Sequence, residues 1–186
     1  LVLYPGLGKF SGAFGWSSHG QLNDEVAKAE QQYGPIYNRY LQQDLKAVAA
    51  SAEGREMGHR LFLTYCSQCH GSDAGGASGF PNLRDHDWLY GGDPEIIKTS
   101  IANGRSGVMP PLGAALGGEA EVKAVANYVL SLSGARHDAA LAAKGKDKFV
   151  VCAACHGVEG KGNPAIGAPN LTDNVWLYGT SGSSEK

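Results

Sequence analysis

The sequence predicts a mainly α-helical protein: two related helical domains in tandem, the second apparently incomplete, behind an N-terminal segment that is part extended and part helical. Three observations carry that prediction. Apolar residues recur at three- and four-residue spacing in several stretches, the period of an amphipathic helix. Blocks of sequence return at a fixed interval, the mark of an internal repeat. The stretches between them hold much of the chain's 27 glycines and 8 prolines, which punctuate helices rather than extend them.

The repeat sets the domains. Pro81-Asn82-Leu83 returns as Pro169-Asn170-Leu171, and Trp88-Leu89-Tyr90-Gly91 as Trp176-Leu177-Tyr178-Gly179, each 88 residues on. Cys66-Ser67-Gln68-Cys69-His70 returns as Cys152-Ala153-Ala154-Cys155-His156, 86 residues on. The second copy therefore carries two extra residues between His156 and Pro169. Gly58 and Phe62 precede the first motif as Gly145 and Phe149 precede the second. The expected division is an N-terminal segment 1–50, a first domain 51–134 and a second domain 135–186.

The elements follow in order. Leu1 to Gly6 reads either as the stub of a membrane helix or as a terminus on the surface. Asn23 to Tyr33 is a polar helix stopped by Gly34-Pro35, and Ile36 to Ala50 has weaker helical character. This segment is too polar and too short for a core of its own, so it is expected to lie against the domains or a partner. Ser51 to Tyr65 is a helix with Met57, Leu61 and Tyr65 on one face. Asp93-Pro94-Glu95 starts another, with Asp as N-cap and Pro at the first position. Ile97 and Ile101 supply its buried stripe and Gly104 its stop. Glu119 to Leu132 aligns Val122, Val125, Ala126, Val129 and Leu132, and Ser133-Gly134 ends it. Ser133 to Ala139 is a linker. Gly58, lacking a side chain, is expected to let the first and last helices of its domain cross, with Tyr128 near Gly58 and Phe62. The second copy has no counterpart of the closing helix, and Thr180 to Lys186 is loop-like, hence the expectation that it is incomplete.

Composition narrows the function. The chain has 186 residues, 42% of them hydrophobic, and a formal net charge of −2. That suits one or two globular domains and excludes general nucleic-acid binding, as there is no Lys/Arg-rich run. No span approaches the ~20 apolar residues of a membrane helix.

The two Cys-x-x-Cys-His motifs use all four cysteines. Residues three and four apart share one side of a helical turn. Cys66 and Cys69, and likewise Cys152 and Cys155, can each reach one porphyrin edge as a pair of thioethers. His70 and His156 can then ligate the iron from the same side. The pattern reads as two covalently attached c-type haems. A zinc ribbon would set its cysteine pairs roughly 15–20 residues apart, whereas Cys69 and Cys152 are 83 apart. Neither zinc nor a thioredoxin-like thiol pair explains a histidine after both motifs. Such haems belong to the bacterial periplasm or an equivalent space, and no cysteine is left for a disulfide. The chain is thus expected to carry electrons rather than make or break bonds.

A sixth iron ligand for the first haem is expected in Met109. The following Pro110-Pro111 biases it to an extended shape and stiffens its loop, and Met/His ligation raises the haem potential. Met57, on a helix, reads as packing. The second copy has no counterpart of Met109. Either the ligand lies beyond the end of the sequence, or His137 or His86 supplies it. His19 and His59 read as solvated. Trp88, Tyr90 and Arg105 either reach haem propionates or are ordinary core aromatics and a solvated arginine.

These residues resemble the tandem class I cytochrome c domains of the dihaem subunit (subunit III) of cbb-type cytochrome c oxidases, the C-family haem–copper oxidases of proteobacteria. The resemblance lies in Leu1 to Gly8, Tyr33-Gly34-Pro35-Ile36-Tyr37, the first haem motif with Gly71-Ser72-Asp73-Ala74, Gly79-Phe80-Pro81-Asn82-Leu83, and Asn103-Gly104-Arg105 ahead of Met109-Pro110. It implies that the carbonyls of Pro81 and Pro169 hold the imidazoles of His70 and His156. It also implies electron delivery from a donor cytochrome c, through two haems and a monohaem subunit, to a membrane oxidase core. That site is on the periplasmic side of the inner membrane, and anchorage is through a segment absent from this sequence. Oxygen chemistry is expected in the core, not here. The alternatives are a free periplasmic dihaem shuttle and, less favoured, a dihaem cytochrome c peroxidase.

Overall fold

The computed structural model describes residues 15–179, which hold helices, two isolated β-bridges and no strand. The readings of 1–8 and 180–186 lie outside the described residues. The chain divides into two compact units, Leu1–Gly58 and His59–Lys186.

The first unit contains α1 (Ser18–Leu41), α2 (Leu45–Ala50) and the start of α3 (Ala52–Tyr65). Ser17 caps α1, its Oγ accepting from the Gly20 N–H at 2.9 Å. The helix does not stop at Gly34-Pro35, as the sequence predicts, but runs through it. Proline disfavours helical geometry at the preceding residue, in part because its Cδ meets that residue's Cβ. Gly34 has no Cβ, so that clash is absent. Gly34 is buried under Glu30, whose Oε1 would lie 2.6 Å from an added Cβ. Asp44 caps α2, accepting from the N–H groups of Lys46 and Ala47 at 3.0 and 3.1 Å. Ser51 Oγ accepts from Gly54 N–H at 3.0 Å, opening α3. An Arg39–Glu53 ion pair of 2.9 Å links α1 to α3 within the unit. Among its described residues only Gly34 and Gly54 are buried.

The second unit contains the rest of α3, then α4 (Ser67–His70), α5 (Pro94–Asn103), α6 (Gly113–Leu116), α7 (Glu119–Leu132), α8 (Ala139–Lys146), a 3-10 turn (Asp147–Phe149) and α9 (Val150–His156). α5 begins at Asp93-Pro94 and stops at Gly104 (φ +68°). Its buried stripe differs from the one expected. Ile96, Ile97 and Ser100 are half-buried, and Ile101 is 80% exposed. At 100° per residue, Ile101 lies at the margin of a face centred between Ile96 and Ile97.

The face α7 buries matches the expected stripe only in part: Val125 is buried and Val129 and Leu132 are half-buried, as the spacing predicts. Ala124 and Val125 are its buried residues, whereas Val122 and Ala126 are exposed. The reason is α8, which packs along it. A Cβ on Gly145 would collide with the Ala124 carbonyl and stand 2.8 Å from Val125 N. Beside this crossing, the Tyr128 and Phe149 rings meet edge to face, centroids 5.3 Å apart. The expected crossing of Tyr128 with Gly58 and Phe62 is thus made with Gly145 and Phe149, the same pair in the second copy. An added Cβ on Gly58 would meet nothing within 4 Å. The connection from Leu132 to Ala139 is short, and short connections favour antiparallel neighbours. It is pinned by Asp138, whose N–H donates to Asn127 Oδ1 at 2.8 Å and whose carboxylate caps α8. Leu116, Ala142, Phe149 and Ala168 complete the small buried core.

Candidate haem sites

Both motifs sit at the end of a helix and run into a glycine-stopped loop. In the first copy α3 delivers Cys66, whose N–H donates to Phe62 O at 2.9 Å, and the chain turns at once into α4. In the second copy α9 carries Cys152, Cys155 and His156 on continuous helix. Gly71 (φ +80°) and Gly157 (φ +79°) end the two helices in a conformation that side chains rarely adopt.

The loops beyond retrace one another. Gly76 N–H donates to His70 O, and Gly162 N–H to His156 O, both at 2.8 Å. Leu83 N–H donates to Ala74 O at 2.9 Å, and Leu171 N–H to Gly160 O at 2.7 Å. The bridge between Ala77 and Phe80 becomes a bridge between Asn163 and Ala168. The two inserted residues are therefore accommodated in the 163–168 turn, and the chain is back in register at Pro169.

That register sets the histidines. His70 Nδ1 lies 3.0 Å from Pro81 O, and His156 Nδ1 lies 3.0 Å from Pro169 O. A carbonyl only accepts, so Nδ1 carries the proton and donates it. Nε2 of each ring is left with its lone pair, the form in which imidazole binds a metal. His156 is only 6% exposed and His70 is half-buried.

The remaining candidates are placed as follows. Cys66 and Cys152 are half-buried, Cys69 and Cys155 exposed, and none of the four is in a disulfide. Burial pushes the Cys152 thiol above its ordinary range. Met109 lies in the irregular stretch between α5 and α6 and is 75% exposed. Arg105 folds back on α5: its Nε donates to Ser100 Oγ at 3.0 Å, its Nη2 to Ile96 O at 3.2 Å, and its guanidinium stands 5.2 Å over the Tyr90 ring. Trp88 lies against Gly92, where an added Cβ would be 2.8 Å from its ring. His86 is exposed, and His137 Nδ1 donates to Ala135 O at 2.7 Å. One residue escaped the sequence reading. Trp176 Nε1 is buried without a hydrogen-bond partner. Its signal was in plain view, because Trp176 is the repeat of Trp88.

The residues present fit a covalently bound haem. Each site offers two thiols at thioether spacing and one imidazole with a free Nε2. Trp176 offers a buried N–H donor aimed at no protein acceptor, suited to a carboxylate. Large apolar side chains close to the motifs in sequence, among them Tyr65, Val150 and Val158, are exposed and suit an apolar occupant. Among the described residues, no cluster of three or more His, Cys, Asp or Glu could hold a metal ion directly. This helical fold with its two Cys-x-x-Cys-His motifs defines a c-type cytochrome of tandem construction.

Comparison with known proteins sharpens that class. Residues 54–129 match the family model described as cytochrome c oxidase, cbb3-type, subunit III, and residues 142–186 match the cytochrome c model. The chain is 52% identical to the cbb3-type cytochrome c oxidase subunit CcoP of Rubrivivax gelatinosus, covering 96% of this chain and 59% of that protein. It is 40% identical to CcoP of Cereibacter sphaeroides, over 96% of this chain and 68% of the relative. It is 38% identical to subunit FixP of Sinorhizobium medicae, over 90% and 63%. The chain belongs to the CcoP/FixP family of cbb3-type cytochrome c oxidase subunits. It spans about six-tenths of the length of the curated relatives it matches. Among the described residues no helix is long and apolar enough to cross a membrane.

Proposed function

We propose that this chain passes electrons through two covalently bound haems, from a donor cytochrome c toward the oxygen-reducing core of a cbb3-type oxidase. Its two haem domains are 51–134 and 135–186. It works on the periplasmic side of the bacterial inner membrane, beside the catalytic core and a monohaem cytochrome subunit. The relatives' names, all subunits of cbb3-type oxidases, support that setting.

One observation carries the reading: the same imidazole–proline hydrogen bond, 3.0 Å in both copies, behind the same pair of thiols. When bound, each haem supplies reversible one-electron chemistry at iron. The chain's residues do the rest. Cys66 and Cys69, with Cys152 and Cys155, fix the two rings covalently. Pro81 and Pro169 hold the Nδ1 proton and so orient and enrich Nε2 of His70 and His156. Met109 would supply a second protein ligand to the first haem, and the Trp176 N–H would donate to a carboxylate of the second.

The test is stoichiometry followed by kinetics. The holoprotein should contain two haems per chain by pyridine haemochrome assay. Both should be reduced by a reduced donor cytochrome c and reoxidised by the oxidase core in stopped flow. One haem or none per chain, or a reduced chain that the oxidase core does not reoxidise, overturns the proposal.

A further inference from the structure

Four residues related by the repeat meet crosswise. Gly79 and Gly167 are equivalent positions, as are Tyr90 and Tyr178. A Cβ on Gly167 would collide with the Tyr90 ring, and a Cβ on Gly79 would lie 3.5 Å from Tyr178 Cε1. Gly79 N–H also donates to Leu177 O at 2.9 Å. The proline-bearing loop of each copy thus receives the Trp-Leu-Tyr-Gly turn of the other. When one residue touches a second, and their equivalents touch in the reverse sense, the surface is isologous, as in a two-fold dimer. A casual contact between the copies would give one of these crossings without the other.

We infer that Tyr90 and Tyr178 are positioning residues: their reciprocal contacts with Gly167 and Gly79 lock the two copies in a quasi-two-fold pair that brings the Pro81 and Pro169 loops together and fixes the electron's path between the two sites. This rests on the two-haem reading above. The step moves one electron and nothing else. The copy that gives it is oxidised, the copy that takes it is reduced, and no proton or bond changes place. The donor cytochrome c supplies the electron and the oxidase core removes it.

The surroundings support a built joint. Gly79 and Gly167 have φ of +82° and +68°; at Gly167 the Tyr90 ring leaves no room for a Cβ, while at Gly79 the exposed Tyr178 ring stands at ordinary van der Waals distance. The Arg105 guanidinium covers the Tyr90 ring, and a Cβ on Gly107 would stand 2.9 Å from the Tyr90 hydroxyl and 3.7 Å from Ile166 O. Tyr90 is therefore held between its own copy and the other. Pro81 and Pro169 follow the two glycines by two residues, so the joint adjoins the carbonyls that orient the histidines.

The experiment uses the holoprotein. Gly167→Ala, Tyr90→Ala and their combination are compared by thermal unfolding, and electron redistribution between the sites is followed after photoreduction. The expected result is a lower melting temperature for Gly167→Ala, partly recovered in the double variant because the ring it strikes is gone. Redistribution should slow severalfold in Gly167→Ala with each site's absorption spectrum unchanged. Tyr178→Ala, altering an exposed side chain, gives an independent reading: the Gly79 amide should lose protection in hydrogen exchange. Additive melting shifts, an unaltered redistribution rate, or full protection of Gly79 in Tyr178→Ala would each overturn the inference. Haem counting separates the two proposals: one haem per chain defeats the dihaem reading and the electron path, while the melting and exchange data still decide whether the joint exists.

Discussion

The Pro169 carbonyl oxygen stands 3.0 Å from Nδ1 of His156, and the bond is repeated between Pro81 and His70. The two bonds match in length but not in setting, since His156 is buried and His70 is half-buried. Solvent reaches a hydrogen-bonded proton faster where it is exposed. In nitrogen-15 NMR of the holoprotein in heavy water, both Nδ1 protons should be visible, with that of His156 exchanging more slowly. Equal exchange at both rings would contradict the difference in burial.

Attachment should be separable between the copies. Cys66→Ser with Cys69→Ser should remove one haem per chain and leave the second copy's spectrum intact. The pyridine haemochrome assay and intact mass read the loss directly. Loss of both haems would mean that the second copy does not hold its group independently.

Phe149 is 3% exposed and packs on Tyr128. Removing a buried aromatic costs about 3–5 kcal/mol. Phe149→Ala should lower the urea midpoint of the second unit accordingly, without a matching change in slope. Phe62→Ala, at the equivalent but only half-buried position, should cost clearly less. Equal costs would show that the crossing at Gly145 is not the dominant one.

Partial desolvation raises the carboxyl of the exposed Asp87 above the ordinary carboxylate range, helped by the charges of Asp173 and Asp85 and opposed by His86. For an acid, a raised folded pKa means that the folded state holds its proton more tightly than the unfolded chain. Its stabilising effect is present below the unfolded pKa of about 3.9 and is lost as pH rises through the folded value. Asp87→Asn should therefore raise the melting temperature at neutral pH and change little once the solution is acidic enough to protonate the carboxyl in both states. A benefit that persists unchanged at low pH would assign it to packing instead.

The proposed function makes Met109 a ligand of the first haem. Methionine ligation raises a haem potential, so Met109→Leu should lower the midpoint potential of one of the two centres and leave the other in place. A redox titration of the holoprotein reads both. An unchanged pair of midpoints would free Met109 from that role.

Much of this was legible in the sequence because the repeat is local and chemical. The start of α5 at Asp93-Pro94 and its stop at Gly104 follow from residues a few positions apart, as does the Cys-x-x-Cys-His spacing on which the proposed haem sites rest. The two-residue offset gave the insertion between His156 and Pro169, and the structure puts its added length in the 163–168 turn. What the sequence misjudged depends on partners distant along the chain. Gly34-Pro35 looks like a stop, because the glycine's missing Cβ is easily read as weakness rather than as relief for the proline. Val122 and Ala126 share the spacing of a buried stripe, yet α8 meets α7 at Ala124 and Val125. Gly58 and Gly145 occupy equivalent positions, and nothing local shows which of them α7 will choose. Trp176 needed only the repeat to be followed one step further.

The longer turn at 163–168 has a consequence for direction. Two halves with matching turns would surround their irons alike, and an electron shared between them would have little reason to settle on either. On the two-haem proposal, the extra chain on one side and the deeper burial of the His156 ring on that side would make the halves unequal electrodes. A duplicated holder is thereby turned into a slope.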